Sequence, residues 1–192
     1  DTGMGLERTN CILQGKTSVY QTEVFQPIIA EIEKLSNYKY GTDEEKDRSV
    51  RIIADHSRAS VFIIGDPRGV SPSNVGTGYV LRRLIRRAVR HGMKLGIEKS
   101  FLAEIAGTVI ENFKAAYPEL EQNSAKIKQE LTAEEEKFRQ TLKKGEAEFQ
   151  KLLPNLMKNP KKVISGKVAY NLYETYGYPL ELTQELGAEH GF

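Results

Sequence analysis

The chain has 192 residues, 39% hydrophobic and 28% charged, and its 28 Lys and Arg against 26 Asp and Glu leave a net charge of +2. That suffices for one substantial core, or for one domain with a piece of another, and the composition is that of a soluble, helix-rich protein rather than a disordered or membrane-spanning one. Cys11 is the only cysteine, which excludes an intramolecular disulfide and fits a reducing cytoplasm; His56, His91 and His190 have no partners at metal-ligand spacing, and no signal peptide or membrane-length apolar run is present.

Asp1–Arg8 (DTGMGLER) is a glycine-rich entry into a helix with Leu6, Cys11, Ile12 and Leu13 at apolar helical spacing. Glycines on both sides of Met4 let backbone approach a ligand, although the pattern also describes an ordinary strand-to-helix turn. Thr22–Tyr38 predicts a helix with Phe25, Ile28, Ile29, Ile32 and Leu35 on one face and Pro27 near its first turn. Lys39–Lys46 reads as polar linker. Asp47–Ile64 follows as a helix, with Val50, Ile53, Ala54 and Val61 facing a core. Its polar members Arg51, Asp55, His56 and Arg58 suit either a site or an internal ion-pair network, and the network is the favoured alternative.

Gly65–Asn74 is dense in turn formers and predicts a loop. Asn74-Val75-Gly76-Thr77-Gly78 then tightens into a helix carrying Arg82, Arg83, Arg86, Arg87 and Arg90, followed by His91 and Lys94. Five arginines within nine residues repel one another, so an anionic partner is the natural way to offset the cost. Arginine, with its planar fork of donors, favours phosphate oxygens. The alternative is a solvated helix whose charges pair with acids elsewhere.

Phe101–Tyr117 predicts an amphipathic helix stopped by Pro118. Leu120–Leu153 predicts one long helix with Ile127, Leu131, Phe138, Leu142, Phe149 and Leu153 on a single stripe and its charged residues on a solvated face. Pro154–Lys162 is a basic loop. Ser165–Tyr176 predicts a serine-capped helix and Leu180–His190 a last short one, with Tyr173 and Tyr176 expected to pack in a core rather than stack on RNA. The fold class expected is all-α.

Four of these stretches, DTGMGLER, RIIADHSRAS (Arg51–Ser60), SNVGTGYVLRRLIRRAVRHG (Ser73–Gly92) and LYETYGYPLELT (Leu172–Thr183), resemble alanyl-tRNA synthetases in order and spacing over nearly the whole chain. The resemblance implies that Asp1–Arg8 is the third class II motif, a strand leading into a helix beside the ATP and amino-acid sites. Asp1 is then expected to hold the substrate ammonium, Gly3 and Gly5 to admit the adenylate, and Arg8 to bind ATP. It further implies a division into residues 1–40, the end of a class II catalytic core, and 41–192, a helical domain recognising the tRNA acceptor stem.

The family identifies its tRNA by a G·U wobble pair, read in the shallow minor groove of A-form RNA. The residues implied for that pair are Asn74 and Glu174, the latter standing where the family more often has Asp. The turn Asp66–Gly69 is slightly longer than the family's. Arg82, Arg83, Arg86, Arg87 and Arg90 are implied as phosphate contacts, with some of the five expected to pair internally. The other class II motifs, the editing domain with its zinc ligands and the oligomerising domain have no counterpart in this stretch. ATP and Mg2+ are therefore expected only in the full ligase, together with alanine and tRNA(Ala), and this piece alone is expected to be inactive, with no metal of its own. The competing expectation is a non-enzymatic helical RNA-binding module that uses the arginine helix for phosphate contact alone.

Overall fold

Glycine-rich turns and capped amphipathic segments give the chain its element order, which in the computed structural model, describing residues Gly3–Phe192, is entirely helical among the described residues. The helices are α1 (Leu6–Leu13), α2 (Gln26–Ser36), α3 (Glu44–Gly65), α4 (Gly76–Lys94), α5 (Leu102–Phe113), α6 (Pro118–Gln122), α7 (Ser124–Leu156), α8 (Gly166–Tyr176) and α9 (Leu180–Glu189), with a 3-10 turn at Val19–Gln21. The strand expected ahead of α1 does not form among the described residues. Its backbone has no neighbouring strand to pair with, and Asp1 and Thr2 lie outside the described residues.

The chain divides into two compact units, Asp1–Glu136 and Lys137–Phe192, with α7 contributing to both. In the first, α3 and α4 pack along each other, and α2 and α5 close on α3. Ile53, Ala54, Ile64, Leu81, Ile85 and Ala88 are fully or almost fully buried there. Several boundaries differ from expectation for local reasons. α3 starts at Glu44 rather than Asp47, because the Asp43 carboxylate accepts the Lys46 amide at 2.9 Å and caps the helix. α2 starts only at Gln26, since Thr22 instead closes the 3-10 turn. α5 ends at Phe113, and Pro118 opens the short α6 instead of merely ending a helix. The long helix restarts at Ser124 after Asn123, whose side chain donates to the Gly65 carbonyl at 2.9 Å. It runs through Pro154, two residues before its end at Leu156.

Two expectations about burial are corrected. On α1 only Cys11 is buried, while Leu6, Ile12 and Leu13 are exposed. The acids of α7 are not all on a solvated face, because Glu134 and Glu135 are buried in the first unit.

The second unit is built on Phe138, Leu142, Phe149, Leu172 and Tyr178, all buried. Ser165 caps α8 through the Val168 amide at 3.4 Å. A Cβ on Gly145 would run into Cβ and the ring of Tyr178, so the glycine is what lets that tyrosine lie against α7.

Candidate nucleic-acid interface

The loop ahead of α4 is fastened to the helix it introduces. The Ser73 amide donates to the Gly78 carbonyl at 3.1 Å, and the Ser73 hydroxyl donates to the Val75 carbonyl at 2.9 Å. This closure needs a glycine at 78, where a Cβ would stand 2.6 Å from the Ser71 carbonyl oxygen and would also overlap the Ser73 hydroxyl. The result is an exposed Asn74 held beside the first turns of α4.

The five arginines are sorted by their places on α4. Arg82 and Arg86 both donate through Nε to Oε1 of the buried Glu134, at 3.2 and 2.6 Å. Arg82 also donates through Nη1 to Oδ1 of Asn74. Arg90 is half-buried, whereas Arg83 and Arg87 are exposed. Arg83 lies over the Tyr79 ring, its guanidinium carbon 5.9 Å from the centroid. Val75, Tyr79 and Val80, at the entry and first turn of the helix, are exposed as well, so exposed positive charge and exposed apolar side chains occur together on α4.

His91, near the end of the same helix, adds no charge at neutral pH. Its Nδ1 lies 3.0 Å from the Ser49 hydroxyl, and its pKa is held down to about 4 by burial first, and then by Lys94, Arg90 and Arg87.

In the opening segment Gly3 borders open space, a Cβ added at Gly5 would stand 3.8 Å from the Arg8 side chain, and Arg8 is exposed. Glu7 is fastened instead to Arg58, at 2.8 Å, and Arg58 stacks on the Phe25 ring with its guanidinium carbon 4.7 Å from the centroid. A hydrogen bond from its own backbone amide, and next the Arg58 bond, hold the Glu7 carboxyl below its usual range. Arg51 donates to the Tyr40 hydroxyl at 3.2 Å, and His56 pairs with Asp55 at 3.1 Å. The polar members of α3 therefore form internal pairs, as the favoured alternative had it.

In the second unit Glu174 is exposed on α8 and accepts the Tyr170 hydroxyl at 3.0 Å, a bond that raises the phenol's pKa. Tyr173 is also exposed, at 55%, contrary to the core role expected for it, while Tyr176 is half-buried. Sequence reasoning missed Tyr170, although its spacing from Tyr173 and Glu174 places all three on one helical face.

Among the described residues no cluster of His, Cys, Asp or Glu has the makings of a metal site, and no helix is long and apolar enough to cross a membrane. A shallow groove of about 790 Å³ elsewhere, bordered by Glu31, Glu104 and Glu111, has the wrong charge for a nucleic acid.

Compared with known proteins, residues 1–192 match the family described as tRNA synthetases class II (A). The alanine–tRNA ligase of Treponema denticola is 61% identical over 191 residues, that of Treponema pallidum 54% over 191 residues, and that of Anaeromyxobacter dehalogenans 48% over 206 residues, each alignment taking in 100% of this chain. The chain spans 32% of the length of the two Treponema proteins and 22% of the third.

Proposed function

The chain belongs to the class II (A) tRNA synthetases, and from that premise we propose that it is the section of an alanine–tRNA ligase that grips and reads the tRNA acceptor stem. The activity proposed for the whole protein is ATP-dependent activation of alanine followed by its transfer to tRNA(Ala), in the cytoplasm. The observation that carries the reading is the sorting of the α4 arginines. Arg83 and Arg87 are exposed, while Arg82 and Arg86 are tied to Glu134 beside an exposed Asn74. A pure phosphate clamp has no use for a braced amide at the edge of its cations.

In this proposal Arg83 and Arg87 hold acceptor-stem phosphates and fix the stem's register. Arg82 and Arg86 serve mainly as framework, and Arg90 adds to the positive potential. Asn74 and Glu174, each on its own unit, address the wobble pair. The carboxylate of Glu174 accepts from the guanine 2-amino group that wobble pairing leaves unpaired, and the amide of Asn74 contacts a neighbouring base edge. Tyr173, exposed on the face that carries Glu174, offers a surface for stacking.

Residues 1–40 are assigned to the end of the catalytic core and 41–192 to tRNA recognition. Asp1 is assigned to the alanine ammonium and Gly3 and Gly5 to close approach of the adenylate. Arg8 would hold ATP, and its exposure together with the open space at Gly3 fits a nucleotide's approach. ATP supplies the activating phosphoanhydride when bound. Mg2+ is proposed for the full ligase, as the class II family implies, and is not assigned to residues of this chain.

The test is binding of the 192-residue chain to an alanine acceptor-stem hairpin and to the same hairpin with G·C in place of G·U, at two salt concentrations, for wild type and Asn74→Ala. Tighter binding of the wobble hairpin, erased by Asn74→Ala, is the expected result. Equal binding of both hairpins with a steep salt slope would overturn base recognition by this chain and leave a phosphate clamp.

A further inference from the structure

The Glu134 side chain is only 8% exposed, and its Oε1 accepts from Arg82 at 3.2 Å and from Arg86 at 2.6 Å. A carboxylate so far removed from water is tolerated only when paired, and here it is held by two guanidinium groups from successive turns of α4. Arginine presents several N–H donors in one rigid plane. With Nε directed at Glu134, the Nη1 of Arg82 meets Asn74 Oδ1. A guanidinium cannot accept a hydrogen bond, so the Asn74 atom facing it has to be the carbonyl oxygen. The Asn74 NH2 is therefore turned away from Arg82, on a residue that is exposed.

We propose that Glu134 is a positioning residue for acceptor-stem recognition: acting through Arg82, it locks the Asn74 amide with its NH2 outward, so that Asn74 meets RNA as a donor to a minor-groove acceptor such as uracil O2 or guanine N3. The inference rests on the acceptor-stem reading above. An unpinned asparagine amide turns easily about its terminal bond and offers either a donor or an acceptor to whatever base edge it meets. It then discriminates poorly. Pinning its oxygen removes one of the two faces before RNA arrives. Because the backbone of the same loop is closed onto Gly78, the amide is fixed in both place and orientation.

The test combines a measurement without RNA and one with it. In the free 192-residue chain, 15N relaxation of the Asn74 side-chain amide reads its order directly. Glu134→Leu, which removes the oxygen that both arginines share, is expected to lower that order to the level of an unrestrained surface amide, and unchanged order overturns the proposal whatever RNA does. With the two hairpins, Glu134→Leu is expected to reduce the preference for G·U about fivefold, the equivalent of one hydrogen bond. Affinity for the G·C hairpin holds or rises, because an anion has been removed. In the Asn74→Ala background Glu134→Leu should change the preference no further, which a merely structural role would not predict.

If wild type shows no preference although its amide is ordered, the acceptor-stem reading fails and the positioning result stands. If wild type prefers G·U, Asn74→Ala erases the preference and Glu134→Leu leaves it intact, the positioning proposal fails alone. Should Glu134→Leu unfold, as circular dichroism would show, Arg82→Lys replaces it. That variant keeps the cation but not the fork joining Glu134 to Asn74, so it should lose the same order and preference, and retention of both would overturn the proposal.

Discussion

Glu135 offers the sharpest stability prediction, because two backbone amides at the start of one helix are among its partners. It is fully buried on α7 and accepts the Phe101 amide, at 3.1 Å to the nearer oxygen, and the Leu102 amide at 3.0 Å. These are donors at the start of α5, whose N-cap Phe101 has no capping side chain of its own. A distant carboxylate thus caps the helix and faces the positive end of its dipole. Hydrogen bonds to charged groups contribute about 1.5–3 kcal/mol each, and orphaning a buried donor costs a similar amount. Removing both bonds with Glu135→Ala, less the relief of no longer desolvating a charge, comes to about 3–5 kcal/mol. Glu135→Gln keeps an oxygen but turns an N–H toward the same amides, for a loss of about 1–2 kcal/mol. Urea unfolding at neutral pH gives both values, and amide exchange at Phe101 and Leu102 should accelerate in the same order. A loss under about 1 kcal/mol for Glu135→Ala, with exchange at those amides unchanged, would refute the reasoning.

Other outcomes follow from the interface. Arg83→Ala and Arg87→Ala should each weaken both hairpins alike and lower the slope of log affinity against log salt by about one, as expected for the loss of one phosphate contact; a selective effect on the wobble hairpin would contradict that role. Gly78→Ala should displace the Ser71–Ser73 loop and reduce wobble preference while leaving the salt slope, since its Cβ would overlap backbone at Ser71. The His91 imidazole should titrate near 4 in the folded chain, against 6.5 unfolded, as followed by NMR. Its folded pKa is the lower of the two, so the unfolded chain takes up the proton first and stability declines as pH falls from about 6.5 to about 4. Allowing for solvent screening of a half-buried group, that decline is about 1–2 kcal/mol, and His91→Gln should abolish this share of it.

The path of α4, its glycine entry and its arginine face are legible in the sequence because all of that information is local: turn residues, then apolar positions at helical spacing. Which arginines remain available is not local. Glu134 lies 52 residues from Arg82 and 48 from Arg86, and amid Glu134–Glu136 it looks like any solvated acid. A usable signal was present, since Leu131, Glu134, Glu135 and Phe138 are spaced i, i+3, i+4, i+7, which puts both acids on the apolar stripe. Gly145 occupies the same stripe between Leu142 and Phe149, and it is there that Tyr178 comes close to the helix. The apolar spacing of α1 misled in the opposite sense: periodicity states which residues share a face, not whether the described chain covers it.

A helix with five arginines would be a poor reader of sequence if all five were free, because phosphate attraction is indifferent to base identity. A mobile Arg82 would itself seek a phosphate and draw Asn74 with it. Burying one acid against two of these cations changes what they do. The pair costs desolvation, which limits its net contribution to stability, but it converts Arg82 from a ligand-seeking charge into a rigid arm. In the proposed reading the exposed cations Arg83 and Arg87 are left to supply affinity that falls with salt. The Glu134–Arg82–Asn74 chain, sheltered from solvent at its root, is proposed to supply selectivity that does not. In the proposed reading, raising salt should therefore weaken binding to both hairpins while leaving their ratio nearly constant. Substituting Glu134 should do the reverse.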